Sequence, residues 1–481
     1  MSKETARIEA QKRLLLVGIM LCCAITALLA LSTIGGLAAG IASGLKPAHT
    51  TPVLFVSTGN NSIDALRVRD GKLLLEYQLD RPPYTLQSQP APAPIVGDDR
   101  LYYNGTNGVY AVNIRTGTIL WYRHLTSDIN AGDITPQEIA GVLYARYQSV
   151  LYAIRPSDGT LLWQRGLSNP STGYFSLQET QGTLYYQDPS LLAAIRAKDG
   201  SLLWQNHLTD TQISFEFTPP IIDNGMIYAV SHNSTWNTSY AISAWRTSDG
   251  LLLWKHPESS PTDISAPVDG VLYASVNGST YGAIYAYRAS DGSLLWERKG
   301  IGSITTMWIS DGVIYVSGSQ SVYALRTSDH SQIWYTLKAA SITDVKDGIV
   351  YTDSGALRAD DGTQLWEYEQ RDLVQEGSER NIYTYHVEFK YAPDNPNALQ
   401  NITSYMSAHD SKNGSLLWSQ RIYDGGPLSF GESNGILFVS SRSGWLYAFV
   451  ESTGAFLWQY DFGRSTIYNV GYFALLEMSD A

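Results

Sequence analysis

One twelve-residue unit recurs ten times along this chain, and that recurrence restricts the fold more than any other feature. The sixth copy runs Tyr285-Ala286-Tyr287-Arg288-Ala289-Ser290-Asp291-Gly292-Ser293-Leu294-Leu295-Trp296. It reads as a strand, a two-residue turn at Asp291-Gly292 and a second strand ending on Trp. Asp-Gly pairs tolerate the positive φ that tight hairpins require. The closing position is Leu75 in the first copy, then Trp121, Trp163, Trp204, Trp254, Trp296, Trp334, Trp366, Trp418 and Trp458, at spacings of 32 to 52 residues. Two further strand patterns precede each unit. In the sixth copy, Ile264 to Val268 lead into Asp269-Gly270 and then Val271-Leu272-Tyr273-Ala274.

Four short antiparallel strands in about 40 residues, repeated, describe the blades of a β-propeller. The class is all-β, and its abundant aromatics (Tyr 32, Trp 13) suit a pleated, half-buried surface. The first copy starts at Val53-Leu54-Phe55-Val56, which matches the second strand of the others. The stretch Ile467 to Leu476, after the tenth Trp, matches the missing first strand, so the C-terminus is expected to complete the blade that the N-terminus begins. Such closure removes exposed sheet edges. A single ring of ten four-stranded repeats is the preferred reading; eight blades plus degenerate repeats is the alternative. The eighth copy, about Ser341 to Tyr368, is the shortest and is expected to be irregular.

Leu14 to Leu45 contains no charged residue, a run longer than the ~20 residues a helix needs to cross a bilayer. Lys3, Arg7, Lys12 and Arg13 precede it, which favours a cytoplasmic N-terminus and an exported body. The expected organisation is a cytoplasmic tail at 1–13, a transmembrane anchor at 14–45, a linker at 46–52, the propeller at 53–477 and a tail at 478–481. The localisation follows as single-pass in the cell membrane with an extracytoplasmic propeller. A cleaved signal peptide is the competing reading. Ser32, Gly36, Gly40 and Gly44 fall on one helix face, a pattern compatible with weak homodimerisation in the membrane. Both cysteines, Cys22 and Cys23, lie in this run, so disulfides do not hold the propeller. The net charge is -12 and the first thirteen residues contribute +2. A body this acidic repels phosphate backbones, so nucleic acid is not an expected partner.

The Ala-x-x-x-x-Asp-Gly-x-x-x-Trp spacing resembles the PQQ-like, quinoprotein-type propeller repeat, over about Val53 to Leu476. That family includes quinone-cofactor alcohol dehydrogenases and a cofactor-free scaffold lipoprotein of the outer-membrane β-barrel assembly machinery. The dehydrogenase branch implies adjacent disulfide-bonded cysteines over the cofactor, but Cys22-Cys23 lies in the apolar run. It also implies a Ca²⁺ site beside a catalytic Asp, for which no matching residues occur. The resemblance therefore implies the non-catalytic branch: no catalytic, cofactor-binding or metal residues, and no cofactor. Many relatives carry Asp four residues before the turn Gly. Here Arg67, Arg155, Arg196, Arg246, Arg288, Arg326 and Arg358 stand there instead. Seven equivalent arginines favour a structural role, pairing with a turn Asp or stacking on a neighbouring blade's Trp, over an anion-binding ring. The tryptophans likewise read as blade-to-blade packing.

Gly431-Glu432-Ser433-Asn434-Gly435 matches G-x-S-x-G, but it falls in a turn between two strands with no helix after it, so a nucleophile is not expected. No His pair has metal-ligand spacing. Connections between second and third strands are enlarged in the fifth copy (Ser231 to Tyr240), the sixth (Ser275 to Gly282) and the ninth (Val387 to Ser404). Such loops emerge on one face of a propeller, and rigid scaffolds present binding residues on loops. Trp236, Tyr240, Tyr281, Phe389 and Tyr391 are the candidate partner-binding aromatics. The expected function is a membrane-anchored scaffold for a protein or glycan partner. The alternative is a divergent quinoprotein-type oxidoreductase, which quinone and Ca²⁺ would stabilise against heat.

Overall fold

The computed structural model describes residues 50–57, 62–78, 95–97, 100–104, 107–113, 118–126, 135–167, 175–207, 213–215, 219–233, 240–258, 261–277, 281–318, 321–337, 341–367, 373–376, 381–392, 395–422, 427–441, 444–462 and 473–479. They form ten antiparallel sheets, one per repeat. Nine sheets are consecutive in sequence. The remaining sheet joins Thr50–Ser57, Ser62–Arg67 and Leu73–Gln78 to Phe473–Ser479 at the other end of the chain. Its register runs from Thr50↔Ser479 to Val56↔Phe473. The architecture is a ten-bladed propeller closed by its C-terminal strand. Leu14 to Leu45, with Cys22, Cys23 and the small-residue stripe, lies outside the described residues. Among the described residues no helix is long and apolar enough to cross a membrane.

First strands of neighbouring blades lie against one another, as Pro261–Ile264, Ile304–Ser310 and Ile342–Lys346 do, and so form the inner ring. Second and third strands are almost wholly buried; in the third blade Val142–Tyr147 has five consecutive buried residues. Buried runs of this kind need cover on both faces, and each blade supplies it for the next. Tyr273, Ile284 and Ala286 of the sixth blade share a core with Met307, Ile314 and Leu325 of the seventh.

Two kinds of turn do the folding back. First and second strands are joined by two-residue turns with positive φ at both positions, such as Asn224 (45°) with Gly225 (79°) and Asp311 (50°) with Gly312 (77°). This is the mirror-type turn that matches strand twist. The Asp-Gly pair between third and fourth strands is not of this kind, contrary to the two-residue turn expected there. Four residues make that connection: the Gly159 N–H donates to the Arg155 carbonyl (2.9 Å), and only the glycine has positive φ. The Asp158 carboxylate then accepts the Thr160 N–H at 2.9 Å, which locks the turn locally.

Two expectations about particular blades are corrected. The eighth is short but regular, with four strands at Ile342–Lys346, Ile349–Thr352, Gly355–Arg358 and Gln364–Glu367. The irregular blade is the fifth, whose first strand is split into Ile213–Phe215 and Ile221–Asp223, both paired to Met226–Asn233. Pro219 and Pro220 lie between the two pieces and lack the N–H that a ladder needs. In the ninth blade, Val387 to Ser404 is not a loop. It is a continuation of the hairpin formed by Asn381–Ala392 and Asn395–Asp410, paired from Val387↔Ser404 to Ala392↔Asn395.

The seam between the tenth and first blades holds a buried carboxyl. Asp64 is 6% exposed and accepts a hydrogen bond from Ser62 Oγ at 2.9 Å. Burial pushes its pKa up to about 6; Glu76 adds to the rise, while hydrogen bonds from Ser62 and Tyr460 oppose it. A folded-state pKa above the unfolded value means that protonation favours the native state. That contribution is complete below the unfolded pKa and is lost as pH rises through about 6. Asp64→Asn is therefore expected to exceed the parent in stability at pH 8 by about 2 kcal/mol. The difference shrinks toward zero near pH 4, as urea titrations of both proteins at the two pH values will show.

Candidate functional site

The contacts between blades decide what the repeated residues are for. Trp163 Nε1 of the third blade donates to the Ala197 carbonyl in the next blade's turn at 2.8 Å, and Trp204 does the same to Thr247 at 2.7 Å. Trp458 repeats this across the seam, donating to Val68 of the first blade at 2.6 Å. Each ring also lies flat on the turn glycine that follows. A methyl group on Gly200 would sit 2.5 Å from the Trp163 ring, at a φ of +70° that disfavours any side chain. His330 replaces that glycine in the seventh blade, with its ring 5.1 Å from Trp296. The indole surfaces are thus occupied within the ring.

All seven repeated arginines pair with the aspartate three residues on. Arg67 Nε lies 2.8 Å from Asp70, Arg246 3.0 Å from Asp249 and Arg326 3.8 Å from Asp329. The pairs of Arg155, Arg196, Arg288 and Arg358 span 3.1 to 3.4 Å. Hydrogen bonds from the turn's hydroxyl side chain and N–H hold carboxyls such as Asp199 and Asp291 below the usual range, with the arginine adding to the effect. These pairs are exposed, so each brings little stability and leaves its arginine engaged.

A different cation is buried. Arg146, at the end of the third blade's second strand, is 7% exposed. It donates from Nη1 to the Tyr186 hydroxyl (2.9 Å), which donates to Asp188 Oδ2 (2.6 Å). Asp188, 2% exposed, lies 3.6 Å from the guanidinium and also accepts the Ser190 and Leu191 N–H groups. The guanidinium sits 4.7 Å from the centre of the Phe175 ring. Burial, and then Asp188, push the Tyr186 hydroxyl above its ordinary pKa. This network ties the third blade to the fourth and went unrecognised in the sequence. Arg146 lies outside the repeated motif, and its partner is forty residues away.

The candidate partner-binding aromatics do not form one cluster. Trp236 lies outside the described residues. Tyr240 starts the fifth blade's third strand, paired with His232 and Glu258, and is partly buried. Tyr281 of the sixth blade is 65% exposed. Phe389 and Tyr391 occupy the ninth blade's extended hairpin, in register with Ile402 and Leu399. The seventh and eighth blades stand between that hairpin and Tyr281. A cleft of about 560 Å³ opens on the other face between the fifth and sixth blades, among Asp223, Tyr228, Pro267, Asp269, Arg288 and Leu295. Its one cation, Arg288, is held by Asp291 at 3.2 Å. Ser433 of G-x-S-x-G ends a strand, opposite Ile436 across a tight turn. Among the described residues, no three His, Cys, Asp or Glu side chains converge as metal ligands would.

The extended hairpin is the largest departure from the repeat. Equivalent second strands end at Tyr147 in the third blade and Ser441 in the tenth. The ninth continues six residues past that point, to Ala392, or roughly 20 Å at ~3.3 Å per residue.

Comparison with known proteins places this ring. The family described as outer membrane protein assembly factor BamB matches residues 29–184, 174–298, 279–384 and 403–471, passing over 385–402. A curated relative, outer membrane protein assembly factor BamB of Yersinia pestis, is 30% identical over 134 residues. That stretch is 26% of this chain and 34% of the relative, so the match spans about a third of the relative's length. Among solved structures, BamB of Moraxella catarrhalis is similar at 16% identity and a TM-score of 0.37, over 63% of this chain and 93% of that one. A quinohemoprotein alcohol dehydrogenase of Comamonas testosteroni is similar at 12% identity and a TM-score of 0.39, over 68% and 66%. Likenesses this low carry no functional argument. The family match covers most of the ring, blade after blade, and on that ground the chain belongs to the family described as outer membrane protein assembly factor BamB.

Proposed function

We propose that this protein is a non-catalytic scaffold, anchored by its N-terminal apolar run outside the cytoplasm, that binds a protein partner through the face bearing the extended hairpin. The observation that carries this reading is the ninth-blade hairpin, about 20 Å of paired strand standing out from a closed ring. A rigid base with one projecting element suits recognition, because little order is lost on binding. The relative's role as an outer membrane protein assembly factor supports a protein partner over a small ligand. The repeated tryptophans are packed between blades and the repeated arginines are paired with aspartates, which leaves the extended hairpin as the largest departure from the repeat.

Replacing 387–404 with Asn-Gly, so that His386 and Tyr405 are joined by a short turn, tests the reading. Crosslinking of the full chain in its own membrane is expected to recover the partner at least tenfold less from the shortened protein. The urea midpoint should fall only slightly, by the loss of the Ser404↔Ile422 pair and of the Tyr385 hydroxyl's bond to Ser404, because the remainder of the blade keeps its other pairs with the flanking strands. Equal recovery from both proteins would exclude this face. Captured material that resists protease and yields to glycosidase would point to a glycan.

A further inference from the structure

The chain enters the ring on the face opposite the extended hairpin. Successive strands of a blade are antiparallel. The turns from first to second and from third to fourth strands therefore share one face, and the connections from second to third strands share the other. Thr50–Ser57 is the second strand of the first blade, so it starts on the turn face. Val53 pairs with Arg67 as Val271, the start of the sixth blade's second strand, pairs with Arg288. Thr50, Thr51 and Pro52 extend the ladder outward from that position, opposite Ser479, Met478 and Glu477. Lys46, Pro47, Ala48 and His49 are the residues between Leu45, where the charge-free run ends, and Thr50. At no more than ~3.6 Å per residue, Thr50 lies within about 18 Å of Leu45, whatever path the chain takes.

The turn face has an apolar rim. The two residues before the closing position are apolar in every blade but the seventh and eighth, where Gln332 and Gln364 take the first of them. Ile119, Leu252, Leu294, Leu416 and Phe456 each begin the outermost strand of their blade, directly after the turn. They are 46 to 59% exposed, so five blades present a large apolar side chain outward at the same level. Beside them the repeated arginines are paired with aspartates, which leaves little net charge at the rim. Apolar side chains among neutral pairs suit a zwitterionic lipid surface. The turns nearer the axis carry Asp269, Asp311 and Asp347, which disfavour anionic headgroups.

We infer that the turn face rests on the lipid surface of the membrane holding the apolar run, with the apolar rim at headgroup level, so that the ninth-blade hairpin points away from the bilayer. The inference rests on the anchored-scaffold reading and gives it an orientation. The short connection to Thr50 brings this face to the membrane, and the rim supplies the contact that keeps it there. A partner held by the hairpin then approaches from the side remote from the lipid.

The test uses the full chain with Cys22→Ser and Cys23→Ser, which removes both native thiols. In that background Ser290→Cys carries a dye on the sixth blade's turn face, and Tyr281→Cys carries it at the opposite end of the same blade. Each protein is reconstituted in phosphatidylcholine vesicles containing a lipid with a nitroxide on its headgroup, which quenches dyes at the surface. Quenching is expected to be at least threefold stronger at position 290 than at 281. Adding Leu252→Asp and Leu294→Asp should at least halve the quenching at 290, because a charged rim gives up the lipid. Equal quenching at the two positions, or stronger quenching at 281, would overturn the orientation; that comparison leaves the rim unaltered and does not depend on how the aspartate variant folds. Undiminished quenching in a folded aspartate variant would overturn the lipid contact. In each of those cases, a chain that alkaline carbonate does not extract, and whose partner recovery falls when 387–404 is replaced, would still uphold the scaffold reading. Extraction of the full chain from its own membrane by carbonate would remove the anchor and this inference together.

Discussion

Replacing Arg146 with alanine is expected to lower the unfolding free energy by about 3–5 kcal/mol, an effect out of proportion to one contact. The reason is the charge left behind. Asp188 is 2% exposed and faces the guanidinium at 3.6 Å. Without it the carboxylate keeps its N–H donors from Ser190 and Leu191 but loses its counter-charge in a site water does not reach. The Tyr186 hydroxyl loses a donor in the same step. Urea unfolding at pH 7 measures the loss. Arg155→Ala is the control: its pair with Asp158 is half exposed on both sides, and it should cost well under 1 kcal/mol. The double variant Arg146→Met with Asp188→Asn should be less destabilised than the sum of its single changes, because the pair is removed together. Equal costs for Arg146→Ala and Arg155→Ala would show that the buried network does not hold the third blade to the fourth.

The second large effect is at the closure. A chain ending at Tyr472 lacks the strand Phe473–Ser479 and is expected to lose about 5 kcal/mol or more and to associate at micromolar concentration. Val53, Leu54, Phe55 and Val56 are at most 1% exposed, and their strand would become an edge. At ~1.5–3 kcal/mol for each buried aliphatic or aromatic side chain, partial exposure of four accounts for a loss of that size. The damage reaches both neighbours. Val53 and Phe55 pack with Leu101 and Tyr103 of the second blade, while Leu54 and Val56 pack with Phe438 and Trp458 of the tenth. Sedimentation and urea unfolding of the shortened chain check this, and a peptide spanning 473–481 should restore the monomer. A shortened chain with the parent midpoint would mean that blade-to-blade contacts alone keep the ring shut.

Much of the ring was legible because its signals are local. An Asp-Gly turn, a buried second strand and a Trp at fixed offset are set within a dozen residues, and ten copies average out the exceptions. The missing first strand at Val53 was legible for the same reason, as a gap in a counted pattern. Misreadings arose where local and distant forces disagree. Val387 to Ser404 contains Pro393, Asp394, Asn395 and Pro396, which read as loop residues; yet the strands Asn381–Ala392 and Asn395–Asp410 on either side pair with each other. The eighth repeat looked defective because it is short, yet four or five residues suffice for a strand whose neighbours on both sides supply the core. The candidate site was least legible. Tyr281 belongs to the sixth blade and Phe389 to the ninth, with two blades between them, and sequence spacing alone does not say how such positions stand to one another.

By itself, the sequence determined the all-β class, the four-stranded unit, its tenfold repetition and the positions of the turns, since each follows from the φ preference of a few residues and a period of two. Only the tertiary structure decided which indole rests on which glycine, that Arg146 reaches Asp188 across a blade boundary, and that one hairpin runs on past the end of its blade. Those outcomes depend on what lies beside a sheet in space, and pairing along a ladder does not encode the neighbour across its face.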